Sequence, residues 1–443
     1  MPAAFARLFE ARGVGDLKVD LWNAFADSDL LGINDDDCSA LPRILPASYL
    51  PVVRGAARDI TECLLKILSW PSRELMAVLP GSPIADYLVR ELGVLRHRPR
   101  RLCGSMRFDM AIEGTPGRGN PPVLLEVNEI GFDGTGRSSR IQETLLRIFP
   151  ALRRRVLCLD TAASEVRNML RLGPRLVRFH YDTYNWEEEV IVRKARRRGL
   201  NIRIVSPDVF KVKRDRDCEL MSVQGVRLKG GRLLVGGEPR PPSSFMISYS
   251  FELADYEEAP GFFRTLIRSR TPQYSPFITG LVAPKTILVV LSDRALVKRL
   301  IGARRARRLS DSILRAELLS DARERIERAP ADYVMKYADG MGGQKVYVGS
   351  ELRRKLRRIR PKDRRRWVIQ ERIDINTMDV DGFLSRRRRA IADLGVYVHY
   401  DWNGREFTHF NVGGFITRAT NRSFKVNVSG GGCQVPVMFD KGK

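Results

Sequence analysis

Histidine is scarce in this chain, with four residues in 443: His97, His180, His399 and His409. There is no HExxH, no GxSxG and no Cys/His cluster, so zinc hydrolysis and triad chemistry have little to build on. The six cysteines (Cys38, Cys63, Cys103, Cys158, Cys218, Cys433) are scattered without a CxxC pair. Reduced structural thiols are expected, not a disulfide framework. Long apolar runs are missing as well: the best, FITGLVAPKTILVVL, is broken by Pro284 and Lys285. The N-terminal MPAAFARLFEARGVGDL carries acids among its apolar residues and has no signal-peptide core, so a soluble cytoplasmic protein without a membrane partner is the expectation. Tandem repeats and low-complexity linkers are also lacking.

Acids are outnumbered, 52 Asp plus Glu against 77 Lys plus Arg, for a formal charge of +25. Such a surface disfavours basic partners and favours phosphates, carboxylates or acidic polymers. At roughly 150 residues per domain the length suggests about three domains, and 43% hydrophobic content is ample for a core. Residues 1–100 mix helical patterns with short loops and read as a helical N-terminal extension. SMRFDMAI and PVLLEVNEI read as a hairpin with a long loop. Ser139 and Gln142, at capping-box spacing, predict the start of the helix that follows. From about 172, RLVRFHYD, NWEEEVIVRKARRRG and LNIRIVSPDVF alternate strand, helix and strand as in a parallel α/β unit. VQGVRLKGGRLLVGG reads as a hairpin turning at Gly230 and Gly231, and SFMISYSFEL as a strand.

Three constellations carry chemistry. In Arg107-x-Asp109 and Glu126-x-Asn128, residues two apart on a strand share a face, and hairpin pairing gathers all four. Two carboxylates and an amide oxygen form a hard-oxygen set suited to Mg²⁺, with Arg107 beside it for an anion. A solvated strand face with an internal ion pair satisfies the same spacing. In VMKYADGMGGQKVYVG a strand carrying Lys336 leads into Gly340, Gly342 and Gly343, a loop able to close over phosphates or simply to turn. It is neither a Walker A loop nor GxGxxG. WVIQERIDI places Gln370 and Glu371 at the end of an apolar strand, where they could read an adenine and a ribose, or merely meet solvent. In VGGFITRATNRSFKVNVSGGG, Gly413 and Gly414 permit close backbone approach and Arg418 offers a fork for phosphate or carboxylate. A phosphate loop, a hinge and an acid cluster are three requirements of one ATP site.

These residues resemble the ATP-grasp ligases, specifically the circularly permuted branch similar to glutathionylspermidine synthase, in which the R-x-D…E-x-N element precedes the lysine and glycine loop. The resemblance covers roughly residues 100–435. It implies an α/β (α+β) circularly permuted ATP-grasp fold. The segments are a helical extension (1–100), a Mg-ligand half (101–171), a Rossmann-like pre-ATP-grasp domain (172–290) and a lid with ATP-binding subdomain (291–443). Asp109, Glu126 and Asn128 would hold Mg²⁺, Arg107 would steady the acyl phosphate and tetrahedral intermediate, and Arg418 is carried over as a second catalytic residue. Lys336, Gly340, Gly342, Gly343 and Lys345 would cover the ATP phosphates, with Gln370 and Glu371 in the adenine hinge. Asn427 is carried over to the same site. The chain departs from the family where Tyr337 replaces the usual proline and Lys345 the loop's last usual glycine.

The implied reaction joins a carboxylate, acidic or peptide-like, to an amine at the expense of ATP. Asp109→Ala or Glu126→Ala is then expected to abolish turnover and leave the fold intact. Two alternatives remain. One is a polyanion- or nucleic-acid-binding protein, motivated by Arg304/Arg305/Arg307/Arg308, ELRRKLRRIRPKDRRR and Arg386–Arg389, although these runs lack aromatic interleaving and match a solvated basic face. The other is a non-catalytic nucleotide-binding scaffold of the same fold.

Overall fold

The computed structural model describes residues 16, 19–20, 23, 37–39, 41–79, 81–117, 120–129, 134–180, 186–207, 221–223, 225–236, 240–247, 253–340, 343–380, 388–421 and 432–442. Gly342, Asn427, Arg386, Arg387 and the 248–252 part of the SFMISYSFEL strand lie outside them.

Within the first hundred residues β1 (Arg43–Pro46) precedes the long helix α1 (Leu50–Leu68) and, after a short helix at Ser72–Val78, helix α2 (Pro83–Arg90). Val53, Ala57, Ile60, Leu64 and Leu68 recur every three or four positions on α1 and are fully buried, the pattern of an amphipathic helix facing a core. The region is not purely helical: β1 pairs in parallel with the last strand of the molecule, Arg43 opposite Val437.

β2 (Leu102–Ala111) and β3 (Val123–Asn128) form the expected antiparallel hairpin. α3 (Thr135–Ile148) starts four residues before Ser139, from Gly134 at φ 96°. Ser139 is therefore inside α3, where it serves another helix: its hydroxyl donates to Asp160 and accepts from the Ala162 amide at the start of α4 (Thr161–Met169). A second, parallel sheet follows, built from β4 (Arg175–Phe179), β5 (Asn201–Pro207), β6 (Met221–Val223) and β9 (Ser244–Ile247), in the order β9-β4-β5-β6. Helix α5 (Trp186–Arg196) connects β4 to β5. The hairpin β7 (Val226–Lys229) and β8 (Arg232–Val235) turns at Gly230 and Gly231, whose φ of 56° and 77° only glycine adopts freely.

Beyond it come α6 (Ile287–Ser292) and the arginine-rich α7 (Ala303–Ser310). Arg305 and Arg308 of α7 are ion-paired to Asp59 of α1, and Arg305 also to Glu62, so half of that basic run binds the protein itself. A small antiparallel sheet has the order β10 (Ala316–Leu318), β13 (Trp367–Glu371), β11 (Tyr333–Tyr337), β12 (Val346–Val348). Helix α8 (Gly349–Leu356) packs on it over Leu352, Leu356, Met335, Trp367 and Ile369.

The chain then returns to the first hairpin. β14 (Leu394–Trp402) pairs with β2, β15 (Phe407–Thr420) with β14, and β16 (Cys433–Asp440) with β15. This joins segments that the sequence reading divides: 101–171 and 291–443 share one ten-stranded sheet, and the N-terminal β1 lies on its edge. Backbone pairing is indifferent to chain separation, and composition carries no trace of it. No helix among the described residues is long and apolar enough to cross a membrane.

Candidate functional site

β2 alternates. Met106, Phe108 and Met110 pack in the core with Val396 and Val398, while Arg107 and Asp109 take the opposite face. Arg107 stands opposite Asn128 and Asp109 opposite Glu126, after which the register slips so that Met110 faces Leu124. Two backbone carbonyls of β3 beside this bulge accept from the small sheet. The Leu125 carbonyl accepts from Lys336 Nζ at 2.8 Å and the Leu124 carbonyl from Gln370 Nε2 at 3.1 Å. Gln370 Oε1 in turn accepts from Lys336 at 2.6 Å. The small sheet is thereby fastened to the hairpin at the point where the four candidate residues lie.

Asp109 is enclosed by cations. Arg107 Nε donates to it at 2.8 Å, Asn128 Nδ2 at 2.8 Å, and Arg418 approaches to 2.7 Å. Burial alone pushes this carboxyl up, but the charges of Arg107 and Arg418, with bonds from Arg107 and Asn128, outweigh it and hold it at about 2. Arg418 reaches it from β15 because Asp393 grips Arg418 on the other side, through its backbone N–H and Nε, each at 2.8 Å. Arg43 of β1 completes the row, donating to the Asp393 carbonyl at 2.5 Å. Gly395 makes room for it: a side chain there would collide with Ile416 and press on Arg107.

Glu126 belongs to the adjoining part of the site. Lys285 Nζ lies 2.7 Å from its Oε1 and also donates to the carbonyl of Gly340. The Lys285 amide bonds to the Ala338 carbonyl at 2.9 Å, so the glycine loop, α6 and the hairpin meet at one lysine. Burial pushes Lys336 down to about 8, although Glu126 and Asp109 favour its charge. Burial likewise pushes up Asp339, whose Oδ2 accepts from the Ile84 amide at the start of α2.

The loop keeps the backbone its sequence asks for. Gly343 has φ 72° and Lys345, at the position of the family's usual glycine, has φ 54°. The Lys345 ammonium sits 4.5 Å from the centre of the Tyr337 ring, and the Tyr337 amide donates to the Lys345 carbonyl, a bond the usual proline could not make. The close approach expected at Gly413 and Gly414 is made by helix α4: a side chain at Gly414 would fall inside Thr161, and one at Gly413 would strike His399 and Ser164.

Arg107, Asp109, Asn128 and Arg418 therefore form one cluster, with Glu126, Lys336, Gln370 and Gly340 alongside. Gly343 and Lys345 stand at the far end of the turn. Gln370 is buried with its amide committed to Leu124 and Lys336, while Glu371 is exposed. Sequence reasoning missed Lys285, Asp393, Asp339 and Arg43. Only Lys285 left a signal, as the one charge in an otherwise apolar run.

Glu126 and the Asn128 amide oxygen are the donors that could hold an Mg²⁺ ion here, a hard cation that takes oxygen ligands. Asp109 is already committed to two arginines and an amide. No three His, Cys, Asp or Glu side chains among the described residues are grouped to hold a metal by themselves.

Residues 275–433, roughly a third of the chain, match the family model described as eukaryotic glutathione synthase, ATP binding domain. No curated protein matches. Among solved structures, a glutathione synthetase-like effector (GSS30) from Globodera pallida in its apo form superposes with a TM-score of 0.67. Its sequence identity is 13%, and the match covers 95% of this chain and 96% of that one. At that identity the likeness is one of fold. The family reached is glutathione synthase, whereas the motifs resemble the glutathionylspermidine synthase branch. The matched segment, residues 275–433, is the one that carries Lys285, Lys336, Gly340 and Arg418.

Proposed function

We propose that the protein is an ATP-dependent carboxylate–amine ligase. The observation that carries this reading is the convergence on one hairpin of an acid–amide pair, Glu126 and Asn128, an arginine pair, Arg107 and Arg418, and two lysines from the glycine-loop side, Lys285 and Lys336. A substrate carboxylate attacks the γ-phosphate of ATP, and the resulting acyl phosphate is attacked by an amine to give an amide, ADP and phosphate. Phosphoryl transfer asks mainly for positioning and charge stabilisation. Lys285 and Lys336 neutralise phosphate oxygens, and Arg107 and Arg418 orient the carboxylate and then its acyl phosphate. Asp109 holds the two arginines in place and is a positioning residue. Mg²⁺, held by Glu126 and Asn128, supplies phosphate neutralisation when bound. The circular permutation and the 172–290 pre-ATP-grasp domain belong to the same proposal, supported by the motif order and by the parallel sheet β9-β4-β5-β6.

Calorimetric titration of ATP with and without Mg²⁺ tests the site. Magnesium-dependent binding, weakened in Lys336→Ala and stripped of its metal dependence in Glu126→Gln, supports it and justifies screening acid and amine pairs for ADP release. Absence of binding by folded wild type overturns it.

A further inference from the structure

The ligase reading leaves the basic run ELRRKLRRIRPKDRRR without a role. Residues 349–366, helix α8 and the single-turn helix Pro361–Arg366 that follows it, hold ten lysines and arginines against two acids. Their net charge of +8 is about a third of the chain's +25, in 18 of 443 residues. Charge that serves solubility alone is spread over a surface with both signs mixed, whereas this stretch concentrates one sign.

Leu352, Leu356 and Ile359 of the stretch pack on Met335, Trp367 and Ile369. Lys336 and Gln370, next to Met335 and Ile369 on their strands, take the opposite face of the small sheet and bond to β3. The basic side is therefore turned away from the nucleotide side. On it Arg353 and Arg357, and beside them Arg354 and Arg358, stand one helical turn apart, about 6 Å along the axis, and Arg360, Lys362, Arg365 and Arg366 continue the exposed run. Like charges at that spacing repel. Of these eight cations only Arg360 has an acidic partner among the described residues, Asp363 at 2.9 Å. Helix α7 is the contrast, since its Arg305 and Arg308 are neutralised by Asp59 and Glu62.

Seven of the eight are arginines, whose planar fork matches phosphate oxygens. Val19 is the only large apolar side chain exposed among the described residues. The basic side thus has no apolar wedge for a lipid bilayer and no exposed ring on which single-stranded bases stack. The apolar stripe of α8 is used up on the sheet, and Trp367 beneath it is buried, with the Lys355 ammonium 5.4 Å from its centre.

We propose that this outer side of the small sheet docks the phosphate backbone of a nucleic-acid duplex, through Arg353, Arg354, Arg357 and Arg358 with Arg365 and Arg366. A duplex presents dense, regular negative charge and can be held by its phosphates without any reading of bases. The proposal is independent of the ligase reading.

Fluorescence anisotropy of a labelled DNA duplex of about 20 base pairs, titrated with the full-length protein at about 0.15 M salt and across a salt series, tests it. The fourfold variant Arg353→Gln/Arg354→Gln/Arg357→Gln/Arg358→Gln should bind at least about tenfold more weakly, with a plot of log affinity against log salt shallower by about two or more. A control of the same net charge, Arg153→Gln/Arg154→Gln/Arg196→Gln/Arg197→Gln, also drawn from exposed arginines, should stay within about twofold of wild type. Equal loss in both variants would assign the binding to whole-molecule charge and overturn the docking face. So would no binding by wild type, no loss in the first variant, equal affinity for the single strand, or tighter binding of phosphatidylserine vesicles at equal anion concentration. Should the fourfold variant fail to fold, Arg353→Gln/Arg357→Gln and Arg365→Gln/Arg366→Gln carry the test, each expected to weaken the duplex severalfold, and no change in either overturns the proposal. ATP–Mg²⁺ titration of the same proteins separates the two readings. Duplex binding without ATP binding rejects the ligase alone, and ATP binding without duplex binding rejects this inference alone.

Discussion

Lys285 and Glu126, 159 residues apart in the chain, meet at 2.7 Å and close the site between the hairpin and the glycine loop. The lysine side chain is 4% exposed and that of the glutamate 28%. A double-mutant cycle with Lys285→Met and Glu126→Gln, followed by chemical denaturation, should show a coupling of about 1–3 kcal/mol. Additive single-mutant effects would show that the pair has no energetic content. Lys285→Met should also weaken ATP binding about tenfold or more through the loss of its charge.

Asp109 gives a pH prediction. Its folded-state value of about 2 lies below the ~3.9 of an unfolded aspartate. Stability from its ionisation is therefore fully present above pH ~4 and is lost as pH falls through about 2, a contribution of roughly 2–3 kcal/mol. Denaturation midpoints measured between pH ~5 and ~2 should fall in wild type and fall less steeply in Asp109→Asn.

Truncation of the same residue, Asp109→Ala, corrects an expectation. From sequence, Asp109→Ala should spare the fold. In the structure it leaves Arg107 and Arg418 buried without their shared counter-charge, which costs about 3–5 kcal/mol. Glu126→Ala, at a partly exposed position, should cost much less. Thermal unfolding of the two variants side by side decides this, and equal stability would contradict the buried cluster.

Lys336 should make nucleotide binding pH-dependent. Burial lowers it to about 8, so its positive charge is present below that pH and lost above it. ATP affinity should fall as pH rises beyond about 8, by up to about tenfold per pH unit. Calorimetry across that range should show the decline in wild type and a flat profile in Lys336→Met.

Gly414 tests the packing of α4 on the sheet. A methyl group there would overlap the Thr161 side chain and backbone, so Gly414→Ala should destabilise by about 1–3 kcal/mol or more. Denaturant titration measures it. A neutral result would mean that α4 moves aside at no cost.

The sequence by itself determined the local pieces. The alternation of Arg107/Asp109 and Glu126/Asn128 puts each pair on one strand face, the turn at Gly230 and Gly231 follows from backbone chemistry, and the lysine-and-glycine segment opens a strand pair in the small sheet, because all three depend on neighbours in the chain. Tertiary structure decided what those pieces face. Only the return of β14 and β15 onto β2 brings Arg418 and Asp393 to Asp109, turning an expected metal ligand into the anchor of two arginines. Only the docking of the small sheet on β3 brings the Leu125 carbonyl to Lys336, and only the passage of α6 beside the loop explains a lysine buried in an apolar run. Gln370 and Gly414 show the same division: each has the residue type a ligand site uses, and each is committed to holding the protein together. Charge pairing and close packing act through space, and a linear pattern records the residue but not its neighbour.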